Sequence, residues 1–264
     1  MLAVTTRNKL RSWRFCLPMM QARRYVSQQL ARTPGLIRYV SAIASPTEFL
    51  TLTVWEDRQT MFDFMSSDAH RKFMWMFSRW SASFWSMRWI PTTVEEGSWE
   101  DLSLSNLVRP EDQRLRSQTP QLQLPEQRPR RILGGRSIDP SMSGVCAITA
   151  LVEGVSPLYL RVLPSVMQGL RQEADYPELL RWSVGTINPR RCLVLTMWRE
   201  APGEPAEAIR LLRQRLGASW TMYWTAGEYE IGHWDGLRLR QLASAQARQQ
   251  RIKSEMIEHI GPDL

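Results

Sequence analysis

Paired cysteines, metal-site motifs and long apolar runs are all missing from this sequence. Its three cysteines, Cys16, Cys146 and Cys192, lie far apart with no CxxC pair. That argues against a zinc ribbon, a dithiol redox motif or a disulfide framework, and fits a reducing, cytoplasmic compartment. No stretch approaches the roughly 20 apolar residues of a membrane-spanning helix, so a soluble globular chain is expected. There is also no Gly-rich phosphate loop, no HExxH, no GxSxG and no paired-carboxylate spacing. Those absences disfavour nucleotide-dependent enzymes, zinc hydrolases and serine hydrolases.

Acidic residues are missing from one region in particular. Residues 1–47 hold eight Lys/Arg and no Asp or Glu. The other 26 cations (34 − 8) balance the 26 acids, so this region carries the net charge of +8. An Arg-rich, acid-free start resembles an organelle transit peptide. The internal repeat described next begins at about residue 2, however, which makes the segment part of the fold. Cations interleaved with Trp13, Phe15 and Tyr25 suit an anionic membrane face or nucleic acid. No RNP1 or helix-turn-helix pattern supports nucleic acid, and a solvated outer helix face is the simpler reading.

What is abundant is tryptophan, twelve in 264 residues, and it recurs at fixed spacing. Leu36, Arg38, Pro46, Leu50, Leu52, Thr53 and Trp55 match Leu179, Arg181, Pro189, Leu193, Leu195, Thr196 and Trp198 without a gap. Further on, Trp85, Met87, Trp89, Gly97, Trp99 and Leu102 match Trp220, Met222, Trp224, Gly232, Trp234 and Leu237. The offset falls by eight residues between the two blocks, so the second copy has a shorter middle. Matching of this kind marks a tandem duplication.

Each copy reads as β-strand, helix, hairpin, helix, aromatic strand. Short β-prone runs at 3–6 and 145–149 precede helices over 19–31 and 158–170, with Pro164 implying a kink or a late start in the second. Hairpins follow around Ser45-Pro46 and Asn188-Pro189. The spacing then predicts helices over 58–65 and 68–80, with Asp68 as N-cap, and strands over 84–90 and 220–225. The order βαββαβ is the ferredoxin-like arrangement, an α+β fold. Leu50, Leu52 and Val54 share one face of their strand; Thr51, Thr53 and Trp55 share the other. With both faces apolar or aromatic, two such sheets packed together would bury the second side. The expected organisation is a first unit over 1–105, a linker over 106–140, a second, degenerate unit over 141–238 and a C-terminal helical tail over 239–264.

The run Phe49-Leu-Thr-Leu-Thr-Val-Trp-Glu-Asp57, then Phe62-Asp-Phe-Met65, Ala69-His-Arg71 and Trp85 to Pro91, resembles the antibiotic-biosynthesis-monooxygenase-like family. The likeness covers about 50 residues of the first copy; the second matches in its strands only. It implies a dimeric α/β barrel, here formed within one chain, that holds an aromatic or polyketide-like small molecule. It also implies that chemistry can proceed without metal or flavin, while other members bind and degrade haem through a helix histidine. No cofactor is therefore expected, with haem as the alternative. The partner is a small molecule, and the chain is a monomeric pseudo-dimer or a homodimer.

His70, in the A-H-R element, is the candidate proton shuttle or haem ligand; otherwise it caps a helix start. Trp55 and Trp198 end equivalent strands and are expected to face the barrel interior, either stacking on a flat ligand or filling the core. Trp85 and Trp89 form a stripe with Met87 that would line the same space. Arg38 would face a ligand carboxylate or, more simply, pair with Glu56. His233 and His259 read as surface residues. Two functional classes remain open: a cofactor-independent monooxygenase, and a binding or structural barrel packed solid. A void lined by Trp55, Trp89 and His70 would favour the first.

Overall fold

The computed structural model of the chain describes residues 1–109, 136–137, 145–154, 157–172, 179–199 and 204–237. Most of the expected linker, the whole C-terminal tail and His259 lie outside the described residues.

The first half contains strands β1 (Leu2–Leu10), β2 (Leu36–Ser45), β3 (Glu48–Trp55) and β4 (Ser81–Gly97). Between them lie helices α1 (Cys16–Leu30), α2 (Arg58–Ser66) and α3 (Asp68–Trp80). A two-residue strand, β5 (Arg136–Ser137), precedes the second half. There, β6 (Cys146–Glu153), α4 (Pro157–Gln172), β7 (Leu179–Asn188), β8 (Arg191–Trp198), α5 (Pro205–Leu216) and β9 (Trp220–Gly232) follow in turn. The second half thus has one helix, α5, where the first has α2 and α3, as its shorter middle requires. The acid-free N-terminal segment supplies β1, which pairs with both β3 and β4.

Local chemistry explains the element ends. Asp57 caps α2 by accepting from the Thr60 N–H at 2.8 Å, as an N-cap carboxylate does. The cap of α3 is Ser67, accepting from the His70 N–H, and not Asp68. α4 begins at Pro157 and carries Pro164 inside it, so the proline does not delay its start. β4 and β9 run well past their predicted ends because each pairs with the other.

All the sheet pairings named here are antiparallel. The first half has the order β4–β1–β3–β2, and the second repeats it as β9–β6–β8–β7. A single pair, Ile43 with Thr186, joins β2 to β7, and β4 pairs with β9. The eight long strands therefore connect in a circle. A ring of eight strands leaves an interior just wide enough for side chains to fill, and tryptophan fills it. Trp85, Trp89, Trp99, Trp220, Trp224 and Trp234 share one buried cluster with Leu50, Leu52, Val54, Met87 and Met222.

Every indole N–H of the two aromatic stripes is satisfied, which buried tryptophan requires. Trp89 donates to Thr5 Oγ1 and Trp224 to Thr149 Oγ1, both at 2.7 Å. Trp85 donates to Glu230 at 2.8 Å, and Trp220 to Glu95 at 2.6 Å. The last two bonds cross between the halves in opposite directions. So do two ring contacts: Trp85 sits 5.1 Å from Trp234, and Trp220 sits 5.0 Å from Trp99. Gly97 and Gly232, with φ of +81° and +75°, end the exchange. A Cβ on Gly97 would collide with the Ser219 carbonyl, and one on Gly232 with the Phe84 carbonyl. Reciprocal contacts of this kind are the signature of an isologous interface.

The helices cover the opposite face of each half-sheet, and here an expectation fails. Trp55 packs with Leu30, Met61 and Phe64, and Trp198 with Leu163, Met167 and Leu212. Both face helices, because Trp55 lies on the face of β3 opposite Leu50, Leu52 and Val54, and Trp198 on the face of β8 opposite Leu193, Leu195 and Met197. Each donates to the hydroxyl two residues earlier, Thr53 or Thr196, at 2.8 Å.

Candidate functional site

An apolar cavity lies between the first half-sheet and its helices. The strands contribute Val4, Thr6, Asn8, Tyr39, Ser41, Thr51, Thr53, Trp55, Ser86 and Arg88. Their spacing is the period of two that places alternate residues on one face. α1 adds Met19, Arg23, Val26 and Leu30; α2 adds Met61, Phe64 and Met65; α3 adds His70, Phe73 and Met74. Four thioethers in the wall make it adaptable. Its volume is about 170 Å³, close to the roughly 150 Å³ of an apolar cavity that takes up benzene. It falls below the roughly 300 Å³ at the lower end of pockets for drug-sized ligands.

Within these apolar walls a few polar atoms stand without partners. Asn8 Oδ1 and Ser41 Oγ are buried and accept or donate no hydrogen bond, although each residue is at most 5% exposed. Leaving such an atom unpaired costs about 1–3 kcal/mol, so two on one cavity wall mark a place where a ligand's polar groups would be welcome. Several neighbouring polar groups are engaged. Thr6 and Ser86 meet at 3.3 Å, Tyr39 and Ser27 at 3.0 Å, and Arg23 donates to the Ser41 carbonyl at 2.9 Å.

His70 is held in a defined state. Its Nδ1 lies 3.0 Å from the Met65 carbonyl, which can only accept, so Nδ1 carries the proton. Burial pushes the imidazole pKa below its ordinary value, and the Met65 bond opposes this only in part. At neutral pH the ring is therefore neutral, with the proton on Nδ1 and the lone pair on Nε2. Phe64 lies between His70 and Trp55, 5.1 Å from one ring and 5.4 Å from the other.

The second half reaches this cavity as well. Tyr229 and Ile231 of β9 line it, carried there by the β4–β9 pairing that sets Ser86 opposite Ile231. The Arg88 guanidinium sits 4.2 Å from the Tyr229 ring and 4.8 Å from that of Phe62. Burial raises the Tyr229 phenol pKa, which the Arg88 charge partly offsets.

Of the residues singled out from sequence, the structure brings together His70 and Trp55. Trp85 and Trp89 point to the other face of the sheet, into the packed ring interior, so they do not line the cavity. Trp198 lies in the second half's own sheet–helix core. Arg38 does not pair with Glu56; it donates to the carbonyls of Trp99, Ile37 and Glu100 at 3.0–3.2 Å. Its counterpart Arg181 likewise bonds the Leu180 carbonyl at 2.7 Å. His233 Nδ1 accepts from the Gly236 N–H at 3.1 Å. Sequence reasoning missed Asn8, Ser41, Arg88 and Tyr229. A polar residue on the helix-covered face of β1 could have flagged Asn8. Tyr229 gave no signal, because the strand was expected to stop at 225.

Comparison with known proteins places these features. A family model described as antibiotic biosynthesis monooxygenase matches residues 20–75, the span that runs from α1 to α3 and includes His70. No curated protein matches the chain. Among solved structures, a cofactor-independent oxygenase from Streptomyces nogalater, SnoaB, is 12% identical, with a TM-score of 0.28 over 33% of this chain and 86% of that one. A conserved protein from Methanosarcina mazei is 14% identical, with a TM-score of 0.31 over 33% and 88%. A protein from Fusobacterium nucleatum is 8% identical, with a TM-score of 0.35 over 88% of this chain and 93% of that one. Residues 20–75 of the first half, from within α1 to within α3 and including His70, are thus similar to the antibiotic biosynthesis monooxygenase family.

Proposed function

We propose that the sheet–helix cavity of the first half binds a small aromatic molecule, about one ring in size, and oxidises it with dioxygen. The observation that supports this reading most directly is His70, neutral and with Nε2 unprotonated, on the wall of an apolar cavity with two unpaired polar atoms. Its Nε2 can accept a proton from a phenol or an activated C–H, the task of a general base. Without a resident cofactor, the substrate anion itself reduces oxygen. An activated CH₂ plus O₂ then yields C=O plus water, and the protein's share is orientation and proton transfer. Asn8 and Ser41 would hold the ring's polar substituents.

The organisation that goes with this reading is two units, 1–105 and 141–238, forming within one chain the counterpart of a dimeric α/β barrel. The circular strand order and the crossed Trp–Glu bonds support it. In it the second unit is a scaffold that also lends Tyr229 and Ile231 to the site. Haem does not fit: a cavity of about 170 Å³ is too small for a macrocycle.

Oxygen uptake and calorimetric binding, measured with a panel of single-ring phenols and hydroquinones, test the proposal. A phenol should bind and consume oxygen, and His70→Ala should abolish turnover while leaving binding within a few-fold. Binding without oxygen uptake would favour the second reading, a non-catalytic binding protein. Loss of neither activity in His70→Ala would remove the histidine from the mechanism.

A further inference from the structure

On the outside of the same helix layer, three large apolar side chains stand in solvent. Trp13 is 73% exposed, Leu17 69% and Trp75 53%. Scattered apolar residues are ordinary on a surface, but these three belong to one end of the layer. The Arg11 N–H donates to the Trp80 carbonyl at 2.8 Å, and Phe15 stacks on Trp80 at 6.4 Å. The start of α1 is thereby fastened to the end of α3, and Trp13 and Leu17 share that end with Trp75 and Arg79.

The charges that these two helices themselves carry there are all of one sign. Arg11 and Arg14 before α1 and Arg79 in the last turn of α3 are exposed at this end, and Arg24 and Lys72 are exposed further along the same two helices. No acid occurs before Glu48, and α3 has none after Asp68. Arg79 lies 3.7 Å over the Trp75 ring, so that indole presents a cation outward. Indoles and an aliphatic side chain flanked by arginines match the chemistry of an anionic membrane surface, where rings settle at headgroup depth and cations meet phosphates.

We propose that this end of the α1–α3 layer docks on an anionic lipid bilayer, with Trp13 and Leu17 entering the interface and the flanking cations facing headgroups. A nucleic acid would use the same charges but has no use for Leu17, and the Trp75 face it would stack on is already covered by Arg79. The bilayer is the occupant that accounts for both the aliphatic and the charged groups. The proposal is independent of what the cavity binds.

Vesicle flotation of the whole protein decides it. Vesicles of phosphatidylcholine with phosphatidylserine should carry the protein upward at low salt, and phosphatidylcholine alone should not. The double variant Trp13→Ala/Leu17→Ala should bind at least about tenfold more weakly, given the apolar surface withdrawn. Arg14→Gln and Arg79→Gln should each cost about fivefold. All these side chains are exposed, so circular dichroism should be unchanged; should the double variant misfold, the two charge variants carry the test alone. Three results overturn the proposal. One is no flotation with anionic vesicles. Another is flotation indifferent to Trp13 and Leu17. The third is absence of flotation together with tight oligonucleotide binding, which would assign the patch to nucleic acid.

Discussion

The Trp85 indole of the first half donates to the Glu230 carboxylate of the second at 2.8 Å, and both residues are buried. Its repeat partner reverses the direction, Trp220 of the second half donating to Glu95 of the first. Burial alone would raise the Glu95 pKa. Hydrogen bonds from the Ser105 amide, the Trp220 indole, the Ser103 hydroxyl and the Leu104 amide outweigh it and leave the pKa lowered. The halves are thus joined by charge-assisted bonds as well as by apolar packing.

Trp85→Phe and Trp220→Phe should each lower stability by about 3 kcal/mol. Loss of a hydrogen bond to a charged group accounts for about 1.5–3 kcal/mol, and the smaller ring leaves a void. Urea denaturation measures it. Unchanged midpoints in both variants would show that the crossed bonds contribute nothing net.

Gly97→Ala and Gly232→Ala should cost clearly more than Gly217→Ala. All three glycines have positive φ, but a Cβ on Gly217 meets open space, while the other two meet a carbonyl of the opposite half. The left-handed backbone alone costs about 1–2 kcal/mol; the excess over that reports the close approach of the halves. Equal losses in the three thermal transitions would refute the contact.

His70 should make stability fall on acidification. Its folded pKa lies below the ordinary value of 6.5, so between the two values the unfolded chain binds a proton that the native state does not. Stability is therefore full above pH 6.5 and declines as pH drops from there towards the folded pKa. Denaturation series for the wild type and His70→Gln should diverge in that window and run parallel above it. Curves that stay parallel throughout would mean that the ring titrates normally.

Of the three cysteines, only Cys16 should react with iodoacetamide in the native protein at pH 8. Burial pushes Cys146 up to about 11 and Cys192 up to about 12, leaving almost no thiolate. Mass spectrometry should find one adduct on the folded chain and three after denaturation. Native labelling of Cys146 or Cys192 would mean that the second half-sheet opens readily.

Much of this was legible before the structure. Fixed-spacing tryptophans announced the duplication, and alternation on β3 correctly separated Leu50, Leu52 and Val54 from Thr53 and Trp55. The error lay in assigning the two faces. Apolar residues at strand spacing do not say whether helices or another sheet will cover them, so the ring interior was taken as the cavity. Bulk decides it: six indoles saturate the space inside eight strands, and the space left over lies under the helices, among threonines and methionines. Tyr229 was out of reach for a different reason. Its place depends on β9 running past its expected end along β4, a register that local sequence does not encode.

The crossed contacts also bear on how such a chain can change. In a symmetric pair of identical subunits, every substitution is made twice, at both ends of the interface. Here Trp85 and Trp220 occupy separate codons, and each half can drift while the other keeps its part. In the second half Leu163, Met167, Trp198 and Leu212 pack in one buried cluster, where the first half keeps a cavity among its described residues. A contact kept at one end of the seam can therefore be varied at the other, which a pair of identical subunits cannot do.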